Sequence, residues 1–321
     1  MRTPDPYRAI ENRSTGAKEV GAIMNYGIST SYFSKNFSFD RLEVFKRAAK
    51  CGFEYVQLPI TDEYYDYADA EWEGIRNAAD EAGVGLFFGM ALSAKNDVSS
   101  ENEQTRQEGI KFVKKVLRGV KRTSATGVGG INYVAWGDLR PPVRKVERRK
   151  RSVESIREIG RYAEDLGLIY GLEIANRNEE FLLNTAEEAR EFCEDVGCKA
   201  VRIVLDTYHM NIEEDDIPSA IRVAGDLLYN VHICENNRKM PIGRNHVIDW
   251  IGVGAALRSI GFDGMLTFEP FADPYGDRAI GSKIWRELAD DLSEAALDHD
   301  ASRGLAFIRQ IMRGEGACKE F

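Results

Sequence analysis

The chain has 321 residues, of which 43% are hydrophobic and 30% charged, and its formal net charge is −9. This composition provides for a large folded core and excludes an intrinsically disordered chain. The acidic excess argues against non-specific nucleic-acid binding, because phosphates are bound by clusters of Lys and Arg.

The first 23 residues show no hydrophobic periodicity and are predicted to form an extension over the surface, followed by one catalytic domain over residues 24–321. The polar start of the chain is typical of neither a signal peptide nor a membrane anchor, and no apolar run reaches membrane-spanning length.

Eight short segments are predicted to be β-strands. They are apolar almost throughout rather than alternating, which is typical of parallel strands buried on both faces. In chain order they are NYGI from Asn25, YVQLP from Tyr55, VGLFFGM from Val84, INYVAW from Ile131, LIYGLEIA from Leu168, VRIVLD from Val201, LLYNVHIC from Leu227 and GMLTFEP from Gly264.

Amphipathic segments between these strands are predicted to be helices. FDRLEVFKRAAKCG ends at Gly52 and DAEWEGIRNAADEAG at Gly83, both expected as terminating glycines. TAEEAREFCEDVG begins at Thr185 with Glu188 three residues later, a capping-box pattern. The basic stretch 143–151 is interpreted as a solvated helix start, because Glu147 interrupts it in an acidic protein.

Eight strands that each precede a helix predict an α/β fold, a single (β/α)8 TIM barrel. An open, doubly wound sheet is the second possibility. The five cysteines, Cys51, Cys193, Cys198, Cys234 and Cys318, form no CxxC pair and are predicted to be free thiols in a reducing cytoplasm.

Metal-competent side chains stand at the ends of four consecutive predicted strands, the fifth to the eighth: Glu173, Asp206, His232 and Glu269. Barrel enzymes place catalysis at this end of their strands. Three buried carboxylates repel one another unless a cation neutralises them. Three oxygen ligands and one nitrogen suit one divalent ion per chain, Mn²⁺, Mg²⁺ or Co²⁺, better than an ion that prefers thiolates.

Further candidates flank these positions. Glu179 follows Glu173, His209 follows Asp206, and Arg238 follows His232. Considered singly, His209 is interpreted as a loop histidine with its hydrogen bonds satisfied, and Arg238 as a member of a surface ion pair. Beside a metal cluster, however, both become candidates for binding hydroxyl groups. Trp136, at the end of the predicted fourth strand, is commonly a core residue but could form an apolar wall for a sugar.

The remaining histidines lie away from these motifs. His299 is expected on the surface of a C-terminal helix, and His246 lies in a loop where either role is open.

The motifs LEIANRNE, LDTYHMNIEED, VHICENNR and FEPF, together with a C-terminal KIWRELADD, carry a family resemblance. From about Asn25 onward the chain resembles the ketose 3-epimerases, the D-tagatose 3-epimerase and D-psicose (allulose) 3-epimerase family, within the xylose-isomerase-like barrels. The resemblance implies metal ligands at Glu173, Asp206, His232 and Glu269, and substrate contacts at Glu179, His209, Arg238 and Trp136. It also implies a homodimer or homotetramer that binds a small sugar.

The activity expected from this resemblance is inversion of C3 in a free ketose of the D-psicose/D-fructose or D-tagatose type. Of Glu173 and Glu269, one removes the C3 proton to form a cis-enediolate and the other returns a proton to the opposite face. Two carboxylates are needed because one base does not readily reach both faces of a planar intermediate.

The sequence departs from the family pattern at three places, none of which is one of the four expected metal ligands. Ser29 stands where a substrate-side aromatic residue is frequent, and Gln57 where an acid is frequent. The loop KMPIGRNHVIDW after Arg238 replaces a compact glycine-rich form.

Other functions compete with epimerisation. An aldose–ketose isomerase or the subunit of a C-glycoside-cleaving lyase could use the same barrel and metal ligands. A DNA-repair nuclease would need a histidine-rich site for several zinc ions, and the chain has four histidines. A catalytically inactive sugar-binding barrel would be marked by a lost ligand, and all four are present.

Overall fold

A computed structural model describes residues 24–243 and 246–315. Eight parallel strands in sequential order close into a barrel, with the first strand hydrogen-bonded to the last. The (β/α)8 prediction is therefore confirmed, and the open sheet is excluded. The strands are β1 (Asn25–Ser29), β2 (Tyr55–Ile60), β3 (Gly85–Met90), β4 (Gly127–Gly130), β5 (Ile169–Glu173), β6 (Val201–Asp206), β7 (Leu228–Ile233) and β8 (Met265–Phe268).

Ten α-helices lie within the described ranges and pack around the strands. They are α1 (Arg41–Lys50), α2 (Asp69–Ala82), α3 (Glu103–Arg122), α4 (Lys145–Leu166), α5 (Ala186–Val196), α6 (Thr207–Glu213), α7 (Ile217–Ala224), α8 (Trp250–Ser259), α9 (Asp277–Ser282) and α10 (Glu294–Met312). The main hydrophobic core fills the layer between strands and helices, with Phe45, Phe192 and Trp250 among its fully buried side chains.

Most predicted helix ends agree with the structure. Gly52 and Gly83 follow α1 and α2 with φ of 94° and 72°, a region that glycine enters without steric cost. Thr185 caps α5 by accepting a hydrogen bond from the Glu188 N–H at 3.2 Å. The Glu188 carboxylate, however, accepts from the N–H of Asn184, one residue before the position a capping box requires.

The prediction of the fourth strand is wrong. The strand is Gly127–Gly130, and the predicted segment, residues 131–136, belongs to the loop that follows. The glycines are needed because the barrel interior is already filled: a Cβ on Gly129 would lie 3.0 Å from the Phe87 ring and 3.2 Å from Val204. A search for apolar runs does not find such a strand, because the large side chains that fill the barrel here come from neighbouring strands.

Several predictions concern the rest of the chain. The predicted extension over residues 1–23 and Cys318 lie outside the described residues. The four described cysteines carry free thiols. Within the described ranges, no helix combines the length and the apolar character that crossing a membrane requires. The basic stretch opens α4, where Arg149 pairs with Asp195 at 2.6 Å.

Candidate active site

The four predicted metal ligands meet at the carboxyl end of the barrel. Glu173 ends β5, Asp206 ends β6, His232 lies in β7, and Glu269 directly follows β8. One potential ligand atom from each lies within 4.8 Å of the others. Two ligands of one ion, each at about 2.0–2.6 Å, can be at most about 5 Å apart. The four side chains thus fit a single divalent ion with oxygen and imidazole ligands.

The carboxylates among these four side chains attract positive charge. Burial alone would raise the pKa of Glu269, but the charges of His232 and Arg238 lower it to about 2. Burial alone would lower the pKa of His232, but the Glu269 and Glu173 carboxylates raise it well above its ordinary value. A divalent ion here would take the place of the imidazole proton, because histidine binds metal only in its neutral form.

Gln57 orients two members of the group at once. Its Oε1 lies 3.1 Å from His232 Nε2, and its Nε2 donates to Glu269 Oε1 at 2.9 Å. His232 Nδ1 lies 3.1 Å from Glu173 Oε1 and 3.2 Å from Glu269 Oε2 and is thereby left as the nitrogen that faces the other candidate ligands. In the sequence, Gln57 stands out only as a departure from the family pattern, because its two contacts join strands that are distant in the chain.

Replacing Gln57 should weaken metal binding. We expect Gln57→Leu to raise the dissociation constant for Mn²⁺ about 10- to 100-fold, because the second partner of a ligating histidine fixes its tautomer and ring orientation. Gln57→Glu is the matched control: it keeps an acceptor for His232 but faces Glu269 with a like charge. It should lose less affinity than Gln57→Leu. Calorimetric titration of the folded variants measures both, and an unchanged constant in Gln57→Leu contradicts the assignment.

His209 lies beside the metal group without being one of the four. Asn176 directs its side-chain Nδ2 and its backbone N–H at His209 Nδ1, at 2.7 and 3.3 Å. Asn176 Oδ1 accepts from the Asn178 N–H, which fixes the orientation of the amide. His209 Nδ1 therefore faces two N–H donors, and its Nε2 lies 3.8 Å from Glu173 Oε1 and 3.3 Å from Arg238 Nη2.

Arg238 reaches into the carboxylate group. Its Nη1 donates to Asp206 Oδ2 at 2.6 Å and to Glu269 Oε2 at 3.3 Å. The guanidinium lies over the Tyr208 ring, with Cζ 4.2 Å from the ring centroid. Its backbone has φ of 66°, a left-handed conformation that is uncommon for a long side chain and occurs mainly where the surroundings impose it.

Trp136 and Glu179 form a pair on the wall of the same cavity. Trp136 Nε1 donates to Glu179 Oε2 at 3.0 Å, and the Gly137 N–H donates to the Glu179 carbonyl at 2.9 Å. Trp136 is 36% exposed, and it lies in the loop after β4 rather than at a strand end. The aromatic wall therefore comes from a loop, and its indole N–H orients a carboxylate.

Glu180 supports this wall from below and was not identified from the sequence. It is 1% exposed and accepts from the Leu183 N–H and the Tyr133 hydroxyl. Burial raises the pKa of Glu180 to about 7, although these hydrogen bonds oppose the shift. A carboxylate in a loop forms no recognisable sequence pattern. Only the folded structure shows that Glu180 stabilises the turn that carries Glu179.

A cavity of about 280 Å³ opens above the metal group. Of the predicted residues, six line it: Glu173, Glu269, Glu179, His209, Arg238 and Trp136. Asp206 and His232 lie beneath its floor, 0% and 1% exposed. Residues that were not predicted as site residues also line it, among them Ser31, Phe37, Phe271 and Arg278. His246 and His299 are both exposed and lie elsewhere, His299 on α10 as expected.

Known proteins share this architecture and much of the sequence. Residues 45–309 match the Xylose isomerase-like TIM barrel family. The chain is 36% identical to D-psicose 3-epimerase of Agrobacterium fabrum over 91% of this chain and 100% of that protein. It is 30% identical to L-ribulose 3-epimerase of Mesorhizobium japonicum over 84% and 90% of the two chains. A structure of D-psicose 3-epimerase with D-tagatose from Clostridium cellulolyticum H10 superposes with a TM-score of 0.86 at 34% identity, covering 90% of this chain and 99% of that one.

Proposed function

The chain belongs to the ketose 3-epimerase family of xylose isomerase-like TIM barrels and is an isomerase acting on carbohydrates, and we propose that it inverts C3 of a ketose with the aid of one divalent ion. The observation that carries the proposal is the pair Glu173 and Glu269, two carboxylates that line one cavity and both contact His232 Nδ1. Free ketohexoses of the D-psicose/D-fructose or D-tagatose type are the first substrates to test, since the relatives are epimerases of D-psicose and L-ribulose.

Glu173, Asp206, His232 and Glu269 would hold the ion, with Mn²⁺ preferred and Co²⁺ or Mg²⁺ as alternatives. When bound, it polarises the ketose carbonyl and stabilises negative charge that develops on oxygen. This set fits such an ion because its donor atoms lie within 4.8 Å of one another and its three carboxylates need a counter-charge.

The proton transfers belong to the two glutamates. A carboxylate oxygen of one removes the C3 proton, the C3–H electron pair forms the C2–C3 double bond, and the carbonyl becomes the enediolate oxygen. The other glutamate, which must carry a proton at this stage, donates it to the opposite face of C3, and the carbonyl forms again. One turnover leaves the first glutamate protonated and the second as the carboxylate, and proton exchange with solvent restores the starting state. Inversion requires two bases because a proton returned from the side of its removal restores the original sugar.

The remaining wall residues would position the sugar. His209 Nε2 and the guanidinium of Arg238 would contact substrate oxygens, and both also lie close to the carboxylate group. The Trp136 indole provides an apolar face, and Glu179, oriented by that indole, accepts hydrogen bonds from hydroxyl groups of the sugar.

Two properties predicted from the sequence remain part of the proposal. Family resemblance supports a homodimer or homotetramer. The free thiols of the described cysteines support a reducing compartment such as the cytoplasm.

Turnover in D₂O tests the reaction. We expect Mn²⁺-loaded protein to interconvert C3 epimers of at least one free ketohexose or ketopentose and to place deuterium at C3, because a carboxylate exchanges its proton with solvent. NMR and mass spectrometry of the products locate the label. An inverted but unlabelled C3 contradicts the two-base route, and label at C1 alone would assign the protein to aldose–ketose isomerisation.

A further inference from the structure

Arg278 is a buried cation without an ion-pair partner among the described residues, although the charge of the neighbouring Asp277 partly offsets the effect of burial on its pKa. It is 3% exposed and lies in α9, and among the described residues no carboxylate oxygen comes within 4.0 Å of its guanidinium. Its Nη2 has no hydrogen-bond partner at all, although it is shielded from solvent. Burying an unpaired charge and burying an unsatisfied donor both destabilise the folded protein. A functional role for Arg278 would explain why the structure contains both.

Other arginines with largely buried side chains are paired. Arg47 lies 2.8 Å from Asp298, Arg148 pairs with Asp97, and Arg238 lies 2.6 Å from Asp206. Arg278 differs from these three arginines because no carboxylate among the described residues forms an ion pair with it.

The guanidinium is held firmly in place by neutral groups. Its Nη1 donates to Ser31 Oγ at 2.6 Å, and its Nε donates to the Asn36 carbonyl at 2.9 Å. The rings of Phe37 and Phe39 lie 5.3 and 5.2 Å from Cζ, which provides cation–π stabilisation. These contacts orient the charge without cancelling it. Burial lowers the pKa of Arg278 to about 10, so the group is still a cation at neutral pH.

Arg278 lines the cavity that contains the metal group. The acidic side chains of that cavity are Glu173, Glu179 and Glu269, and none of them contacts Arg278. Its hydrogen bonds go instead to the loop after β1, where Ser31 and Phe37 are fellow lining residues. One molecule filling the cavity could thus contact both the four candidate metal ligands and a cation that has no ion-pair partner among the described residues.

We propose that Arg278 binds an anionic group, a phosphate or a carboxylate, on the end of the ketose remote from the carbonyl. This inference rests on the proposed C3 inversion and narrows its substrate from neutral ketoses to those with a charged terminus. Guanidinium is suited to both anions because its planar N–H groups match their paired oxygens.

Three sugars with different termini separate the possibilities: D-fructose, D-fructose 6-phosphate and D-fructuronate, which has a carboxylate at the terminal carbon. We expect kcat/KM for one of the two anions to exceed that for D-fructose about 10- to 100-fold, the range for a hydrogen bond to a charged group. The anion that is preferred identifies the terminus. Equal kcat/KM for all three sugars in the wild-type protein overturns the proposal without any variant.

Arg278→Met should lower kcat/KM for the preferred anion far more than kcat/KM for D-fructose and so remove the preference, and Arg278→Lys should restore part of it. Arg47→Met is the matched control: it also removes a buried arginine stacked on an aromatic ring, but one outside the cavity, so it should lower the melting temperature and keep the preference. An equal loss on all three sugars in Arg278→Met means a structural role and overturns the proposal.

Failure of the proposed reaction is distinguishable. If none of the sugars exchanges its C3 proton, the C3 chemistry is wrong, but D-fructose 6-phosphate or D-fructuronate should still raise the melting temperature of the wild type more than that of Arg278→Met. Equal shifts in the two proteins contradict the binding role itself.

Discussion

Glu173→Gln and Glu269→Gln should each lower kcat/KM for C3 inversion by at least about 10²–10⁴-fold, the usual contribution of general acid–base catalysis. The amide keeps the shape of the side chain but cannot accept a proton. Assays need saturating Mn²⁺, because each glutamate is also a proposed ligand. This matters most at position 269, where the Gln57 Nε2 donor would attract the amide oxygen and turn the NH₂ group toward the ion.

The two variants should differ in which epimer they exchange. With one base removed, the remaining carboxylate still reaches one face, so solvent deuterium enters C3 of one epimer without inversion. Glu235→Gln is a control, since Glu235 is a buried carboxylate that accepts from Trp250 Nε1 at 2.9 Å and does not line the cavity. It should retain inversion within a few-fold. Normal inversion in either Glu173→Gln or Glu269→Gln, with metal bound, defeats the two-base mechanism.

Removal of the divalent ion should abolish activity and lower the melting temperature by roughly 5–10 °C. The three carboxylates of the group lose their main counter-charge, and a ligand present at about 100 times its dissociation constant contributes about 2.7 kcal/mol to stability. Scanning calorimetry before and after chelation, followed by addition of Mn²⁺ or Co²⁺, measures the loss and its recovery.

Asp206→Asn provides the matched comparison for this effect. Asp206 is 0% exposed and is held by the Tyr208 N–H and by Arg238, so the amide should fit the same space. The variant should resemble the chelated wild type and respond weakly to added metal. Full activity in protein that elemental analysis shows to be free of divalent ions would contradict the metal-dependent mechanism.

The strand ends were predictable because their signal is local. A buried parallel strand is apolar along its length, so a carboxylate or imidazole at its end, as at Glu173, Asp206 and His232, stands out in sequence. Parallel strands then bring these ends together at one edge of the barrel whatever the details of packing. The fourth strand was not recognised because it is rich in glycine and lacks a long apolar run. Glycine is required at position 129 because Phe87 and Val204 already fill the space beside it.

Contacts between distant loops were not predictable from the chain alone. Gln57 and Glu269 are separated by 212 positions and Arg278 and Ser31 by 247, and neither pair forms a motif. Whether Arg278 has a carboxylate partner depends on which side chains the folded loops bring near it. In the sequence alone, an arginine within the polar segment GDRAIGS would be interpreted as an ordinary surface residue.

By itself, the sequence determined the barrel, the four metal-competent side chains and the family, because each depends on residue type at short spacing or at a strand end. Only the folded structure shows which nitrogen of His232 faces the carboxylates, how Trp136 orients Glu179, and that Arg278 is buried without an ion-pair partner among the described residues. These features depend on distances and desolvation between segments far apart in the chain, and such quantities exist only once the barrel has closed.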